Sequence, residues 1–236
     1  MATAPCVVFC AEDDFREEKT AFGSVRLWKI THREQFERAV QALAYRCEPR
    51  EIPKAVGAQY IGGLANWERI RKHKCSYLAS GGTDWNAEFR RYTQNKENYT
   101  DSLILLSTGY YSGLSPEDVG LPPEIWKEAS GEIRKYHELT HFIYRKCYPG
   151  DIQVIRDEVL ADCVGLCAAF DRYDASLARK LLGLDNGTLR PGARLRHYVP
   201  EDALPQAMSE AELWIDGLEK LLSRVPDLSK RQRESL

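Results

Sequence analysis

The chain has 236 residues, 43% of them hydrophobic, which suits one large domain, or a domain with an added subdomain, built on a core that folds unaided. A formal net charge of −2 offers no global attraction for nucleic acid or for an anionic membrane surface. No apolar run is long enough to span a bilayer, and the N-terminal run ending at Ala11 is too short for a signal segment and passes straight into Glu12, Asp13 and Asp14, so the chain reads as cytoplasmic.

In chain order, residues 4–10 (APCVVFC) read as a strand, and Ser24–Ile30 as a second one. Thr31-His-Arg-Glu34 has the spacing of a capping box and opens a helix to about Cys47, with His32 exposed in its first turn. Residues 52–64 are rich in small residues and fit either helix or loop. The basic cluster WERIRKHK, from Trp67, is read as a solvated helix end rather than a nucleic-acid patch. Gly81-Gly82-Thr83 is a turn, and residues 84–99 have no clear period. The 7 Cys are odd in number and lack a framework spacing, so they are expected to be reduced. Cys163 and Cys167 in particular read as small core residues.

Leu103–Leu106 is a continuous apolar run, as expected of a buried strand. Ser107–Gly113 follows as an edge or a loop, with Tyr110 or Tyr111 as candidates to line a site. Pro122-Pro123 announces a long helix whose buried face is marked by Ile125, Ala129, Ile133 and Tyr136. That helix carries His137-Glu138-Leu139-Thr140-His141. Residues four apart on a helix share a face, so His137 and His141 can offer two nitrogens to one metal ion, and Glu138 can reach a water on its open side. Pro149-Gly150 ends the helix, and Asp151 is a candidate N-cap for a second helix from Ile152 to about Phe170. From Val159 onward this second helix is apolar all round, yet it contains Asp162, with Glu158 four residues earlier on the same face. Two carboxylates on a buried helix need a common partner. A metal held by the two histidines provides one, with Glu158 as third ligand and Asp162 bonded to the outer nitrogen of a ligand histidine.

H-E-L-T-H followed by Glu158-Val-Leu-Ala-Asp162 resembles the zinc metallopeptidases called gluzincins, and the short spacing resembles their minimal members. The resemblance implies an α+β, zincin-like fold: a small sheet on the N-terminal side, packed on the H-E-x-x-H helix and a second buried helix, with a helical C-terminal part. It also implies Zn2+ held by His137, His141 and Glu158, with Glu138 as general base and Asp162 behind the ligands. Asp157 is a rival third ligand, although it points about 100° away on the helix. In peptidases of this kind, an edge strand beside the site receives the substrate as an added strand.

Beyond the second helix, Asp174–Leu182 reads as a short amphipathic helix, Asp185-Asn-Gly187 as a turn and residues 204–224 as a helix with Met208, Ala211, Trp214, Ile215, Leu218 and Leu222 inward. Between them, His197, Tyr198, Arg194 and Arg196 are candidate donors to a developing oxyanion, His197 and Tyr198 being preferred. The expectation is therefore an N-terminal α/β part over 1–100, integral to the catalytic unit or layered over it. A zincin-like core over 101–225 and a polar tail over 226–236, frayed from Asp227 onward, complete the chain. The expected activity is zinc-dependent hydrolysis of a peptide or protein. The alternative is a degenerate zincin-fold module in which the metal is structural. No nucleic-acid or membrane partner is expected, and oligomeric state is open.

Overall fold

The computed structural model describes residues 10–224. The strand expected over 4–10, except Cys10, and the tail from Asp227 therefore lie outside the described residues. The fold is α+β, a small mixed sheet followed by a mostly helical remainder. The elements are β1 (Asp14–Thr20), β2 (Gly23–Ile30), α1 (Arg33–Leu43), β3 (Ala58–Ala65), α2 (Trp67–Ala79), α3 (Trp85–Thr93) and β4 (Thr100–Ser107). They continue with α4 (Pro116–Val119), α5 (Pro123–Cys147), α6 (Val154–Phe170), α7 (Ala175–Leu182), a hairpin of β5 (Leu184–Asp185) and β6 (Thr188–Leu189), and α8 (Leu204–Arg224).

The main sheet has the order β1-β2-β4-β3. β2 and β4 are parallel, with Arg26 opposite Leu103 and Trp28 opposite Leu105, while β1 and β3 pair antiparallel at the two edges. The apolar run Leu103–Leu106 is continuous because β4 is covered on both faces. Leu103 and Leu105 pack with Trp28, Ile30, Phe36 and Val40 on the α1 side. Ile104 and Leu106 pack with Leu27, Leu139 and Phe142 on the α5 side. The long helix thus lies across the sheet, and residues on both sides of position 100 share that sheet.

Several local expectations are corrected. Residues 58–65 are the edge strand β3, with no helix there, and 85–93 form α3, whose N-cap Asp84 accepts a bond from the Ala87 N–H at 2.9 Å. The capping box at Thr31 does not form: His32 is the N-cap, without a side-chain bond, while the Thr31 N–H donates to Asp13 Oδ1 at 3.0 Å and its hydroxyl to the Glu12 carbonyl at 3.1 Å. The helix also stops at Leu43, before Arg46 and Cys47 at positive φ. Asp151 does not cap α6, since it accepts from Tyr144 and Arg156, and Gln153 occupies the N-cap. On α5 the buried position is Trp126, bonded to the Leu114 carbonyl at 2.8 Å, whereas Ile125 is exposed. Trp214 on α8 is likewise exposed, and Ala207, Ala211 and Ile215 carry the contact.

No residue of α6 is exposed from Val159 to Phe170. It packs against α5, α7 and α8 around Ile133, Leu166, Leu181 and Ile215, and Cys163 and Cys167 are buried against Leu222 without a disulfide. At Gly165 the two long helices touch: a Cβ built there would lie 2.8 Å from the Ile133 carbonyl. Among the described residues, no helix is long and apolar enough to cross a membrane.

Candidate metal centre

The close crossing of Gly165 on Ile133 brings together the inner faces of α5, one turn on at His137, and of α6, two turns back at Glu158. His137 Nε2 and His141 Nε2 are 3.1 Å apart. Glu158 approaches from α6, with Oε2 at 3.4 Å from His137 Nε2 and Oε1 at 3.3 Å from His141 Nε2. Zinc bonds of about 2.0–2.1 Å at tetrahedral angles separate neighbouring ligand atoms by about 3.3 Å. The observed separations lie near that value, the two from Glu158 running to its two different oxygens, and with one donor atom from each residue all three lie within 4.8 Å of one another, close enough to share one ion. Glu158 is enclosed, and its Oε2 has no hydrogen-bond partner, although buried carboxylate oxygens ordinarily find one. Two imidazoles and one carboxylate are a donor set that could hold a divalent transition-metal ion.

The outer nitrogen of His137 is equally well defined. Nδ1 lies 2.9 Å from Asp162 Oδ1, and the Tyr111 hydroxyl donates to the same oxygen at 2.7 Å. Arg194 bonds Oδ2 of Asp162 and, through its other terminal nitrogen, the Ser112 hydroxyl at 3.1 Å. Burial alone would raise the Asp162 pKa, but the Arg194 charge and the bonds from His137 and Tyr111 hold it below the ordinary value. Burial likewise pushes the Tyr111 phenol well up, so it stays a donor. Asp162 is thus an anion that accepts the hydrogen bond of His137 Nδ1–H and turns Nε2 toward Glu158 and His141, where a metal ion would take the place of the Nε2 proton.

Glu138 is 8% exposed, lines the same cleft and has no hydrogen bond or ion pair among the described residues. One turn earlier, Arg134 is fully buried and ties α5 to the segment after β4, donating to the carbonyls of Ser107 at 3.0 Å and Gly109 at 2.6 Å. Gly57 packs directly against it: a Cβ there would come within 2.6 Å of Arg134 Nε and would force the guanidinium to shift.

The cleft holds about 220 Å³ between this helix pair, the start of β3 and the loop after β6. Of the four candidate donors in that loop, His197 and Tyr198 line the cleft. Burial raises the Tyr198 pKa well above its ordinary value, so it remains an O–H donor. Arg194 faces the cleft but is engaged with Asp162, and Arg196 pairs with Glu201 at the surface. Asp157 is turned away, paired with Arg156 at 2.9 Å and bonded to the Gln153 N–H. Of the two tyrosines, Tyr111 is in the site and Tyr110 is not among the cleft residues.

Three residues escaped the sequence reading in their actual roles: Tyr111 as a partner of His137 and Asp162, Arg194 as the counter-ion of Asp162, and Ser112 as its support. The need for a cation near Asp162 was readable, but its source, 32 positions further on, was not. Ser112 adopts φ +53, an uncommon conformation for a side-chain-bearing residue. It is held there by Arg194 on its hydroxyl and Arg190 on its carbonyl at 3.2 Å. A second cluster of candidate ligands, Cys10, Glu12 and His32, sits nearer the surface, with Glu12 and His32 exposed and Cys10 half-buried.

Residues 15–222 match one protein family, described as a family of unknown function (DUF7005). No curated protein and no solved structure matches the chain.

Proposed function

The chain belongs to that family, DUF7005, and we propose that it is a zinc-dependent hydrolase of zincin-like fold, a metallopeptidase of the kind that the H-E-x-x-H and E-x-x-A-D strings resemble. The observation that carries the reading is the triangle of His137 Nε2, His141 Nε2 and the Glu158 carboxylate, with edges of 3.1, 3.4 and 3.3 Å, beside the unpaired Glu138 in one cleft.

A zinc ion held by these three residues supplies a Lewis-acid charge that brings the pKa of a water near neutrality. The rest is work for the chain's own groups. Glu138 takes the proton of the attacking water and hands it to the leaving amine. Tyr198, held as a neutral phenol, and His197 beside it offer donors to the developing oxyanion. Asp162, anchored by Arg194 and Tyr111, fixes the aim of His137. The outer edge of β3, unpaired among the described residues, flanks the cleft through Ala58, Gln59 and Tyr60, where an extended peptide can align. A purely structural metal would call for a fourth protein ligand, and the cluster among the described residues offers three.

Elemental mass spectrometry of the purified protein, with His141→Ala alongside, tests the reading together with a peptide-hydrolysis screen. One zinc per chain is expected, lost in the variant. Glu138→Gln should retain the zinc and lose about 10²- to 10⁴-fold in hydrolysis, the range of a general base. A protein prepared without chelator that holds no zinc, or a Glu138→Gln variant of undiminished activity, overturns it.

A further inference from the structure

The start of β3 lines the metal cleft, and a second cleft of about 830 Å³ adjoins it. Tyr60 and Arg145 line both. Arg145 follows His141 by four residues and His137 by eight, so it stands on the ligand face of α5. Its guanidinium lies 4.8 Å from the centre of the Tyr60 ring, a cation–π contact that holds a long, exposed side chain where the two clefts meet.

Three of the neighbouring cations are already matched. Arg26 and Arg69 both pair with Asp101, and Lys146 pairs with Glu97 at 2.6 Å. The remaining carboxylate of this wall, Glu17, stands opposite Arg26 across the β1–β2 register. Arg145 has no ion pair and no hydrogen bond among the described residues, and Lys96 on the same wall has no ion pair. A planar guanidinium with its donors free, fixed at the mouth of a hydrolytic cleft, is suited to bidentate capture of a carboxylate.

We propose that Arg145 is a specificity-determining residue of the cleft and selects peptides that place a carboxylate there, on an Asp or Glu side chain or at the chain end. The inference rests on the peptidase reading for the identity of its ligand as a peptide. Its test is independent of cleavage.

Fluorescein-labelled octapeptides, carrying Glu or Gln at each position in turn and ending in a free or amidated C-terminus, are titrated against zinc-loaded full-length Glu138→Gln by anisotropy. Glu is expected to bind about 5- to 10-fold tighter than Gln at one position, or the free end tighter than the amide, as for a charge-assisted pair. The first outcome assigns the carboxylate to a side chain and the second to the chain end. Adding Arg145→Ala should abolish the preference, Arg145→Lys should keep part of it, and Arg145→Glu should turn it toward Lys-containing peptides. Arg145 is exposed, so these variants retain the fold. Equal binding of acidic and amide peptides, a preference that survives Arg145→Glu, or no peptide binding at all overturns the proposal. Binding with the expected preference, but no cleavage by the unmutated protein, would remove the hydrolase reading and leave this inference standing.

Discussion

The tautomer of His137 decides whether its Nε2 can serve as a ligand, and Asp162 decides the tautomer. An Asn at 162 keeps the shape but has no charge to hold the Nδ1 proton, so Asp162→Asn is expected to weaken zinc about 10- to 100-fold, measured by competition with a chromogenic chelator. Unchanged affinity would reduce Asp162 to a packing role. Arg194 is bound into the same network from the far side. Its removal leaves a carboxylate that is 1% exposed with one cation fewer. Arg194→Met should therefore cost about 3–5 kcal/mol in denaturant unfolding of the metal-free protein, the usual penalty for breaking a buried pair from one side. A loss below about 1 kcal/mol would mean that the tyrosine and histidine donors suffice for Asp162. That His137, Glu138, His141, Glu158 and Asp162 share one site was legible because each pair lies within one helix turn, where spacing dictates geometry. Tyr111, Ser112 and Arg194 were not, because they reach the site through loops whose course no local pattern encodes.

The elements α5 and α6 meet closely because α6 carries no side chain at the contact. Gly165 faces the Ile133 backbone, and a methyl group there would lie 3.0 Å from Ile133 Cγ2 as well as 2.8 Å from its carbonyl oxygen. Gly165→Ala gains helix propensity but must push the pair apart, and overpacking of this kind costs about 1–3 kcal/mol. Because Glu158 and His137 lie on opposite sides of this seam, the same variant should weaken zinc binding, read by chelator competition; a stable variant with unaltered affinity would show that the seam yields without moving the ligands. The two long helices were visible in the sequence from the Pro-Pro start, the Pro-Gly stop and the apolar run. β3 was not, since Ala58, Gly62, Gly63 and Ala65 give it no alternation, and its pairing with β4 breaks between Ile61 and Leu64. The sheet's inner strand supplies the order that β3 lacks. The caps failed for a related reason: Thr31 and Asp151 found partners in Glu12, Asp13, Tyr144 and Arg156 that compete with the helix ends.

For the molecule as a whole, the buried centre couples folding to pH differently with and without metal. Burial disfavours a charged His137, but its bond to Asp162 and the nearby Glu158 carboxylate outweigh that and raise its pKa to about 10 in the metal-free chain. A raised pKa stabilises the fold fully below the unfolded value of about 6.5, and this contribution disappears as pH climbs through the folded value. Asp162 and Glu158 act with the opposite sign. Burial would raise both, yet Arg194 and His137 hold Asp162 down, and His137 and His141 hold Glu158 well below its ordinary value. Their stabilisation is present above the unfolded carboxylate range of about 4 and is lost as pH falls below it. The chelated protein should therefore be most stable between about pH 4 and 6.5 as far as this centre is concerned, and should lose stability toward pH 10. In the metal-loaded protein the ion replaces the proton as the positive partner of Glu158. Zinc also requires His137 Nε2 unprotonated, so its binding becomes stronger as pH rises. Thermal unfolding from pH 4 to 10, with and without chelator, should accordingly give two curves that diverge upward in pH, with the zinc-loaded midpoint higher by a widening margin. Parallel curves would mean that the histidine pair does not exchange a proton for metal, and the triangle of ligand atoms would then need another explanation.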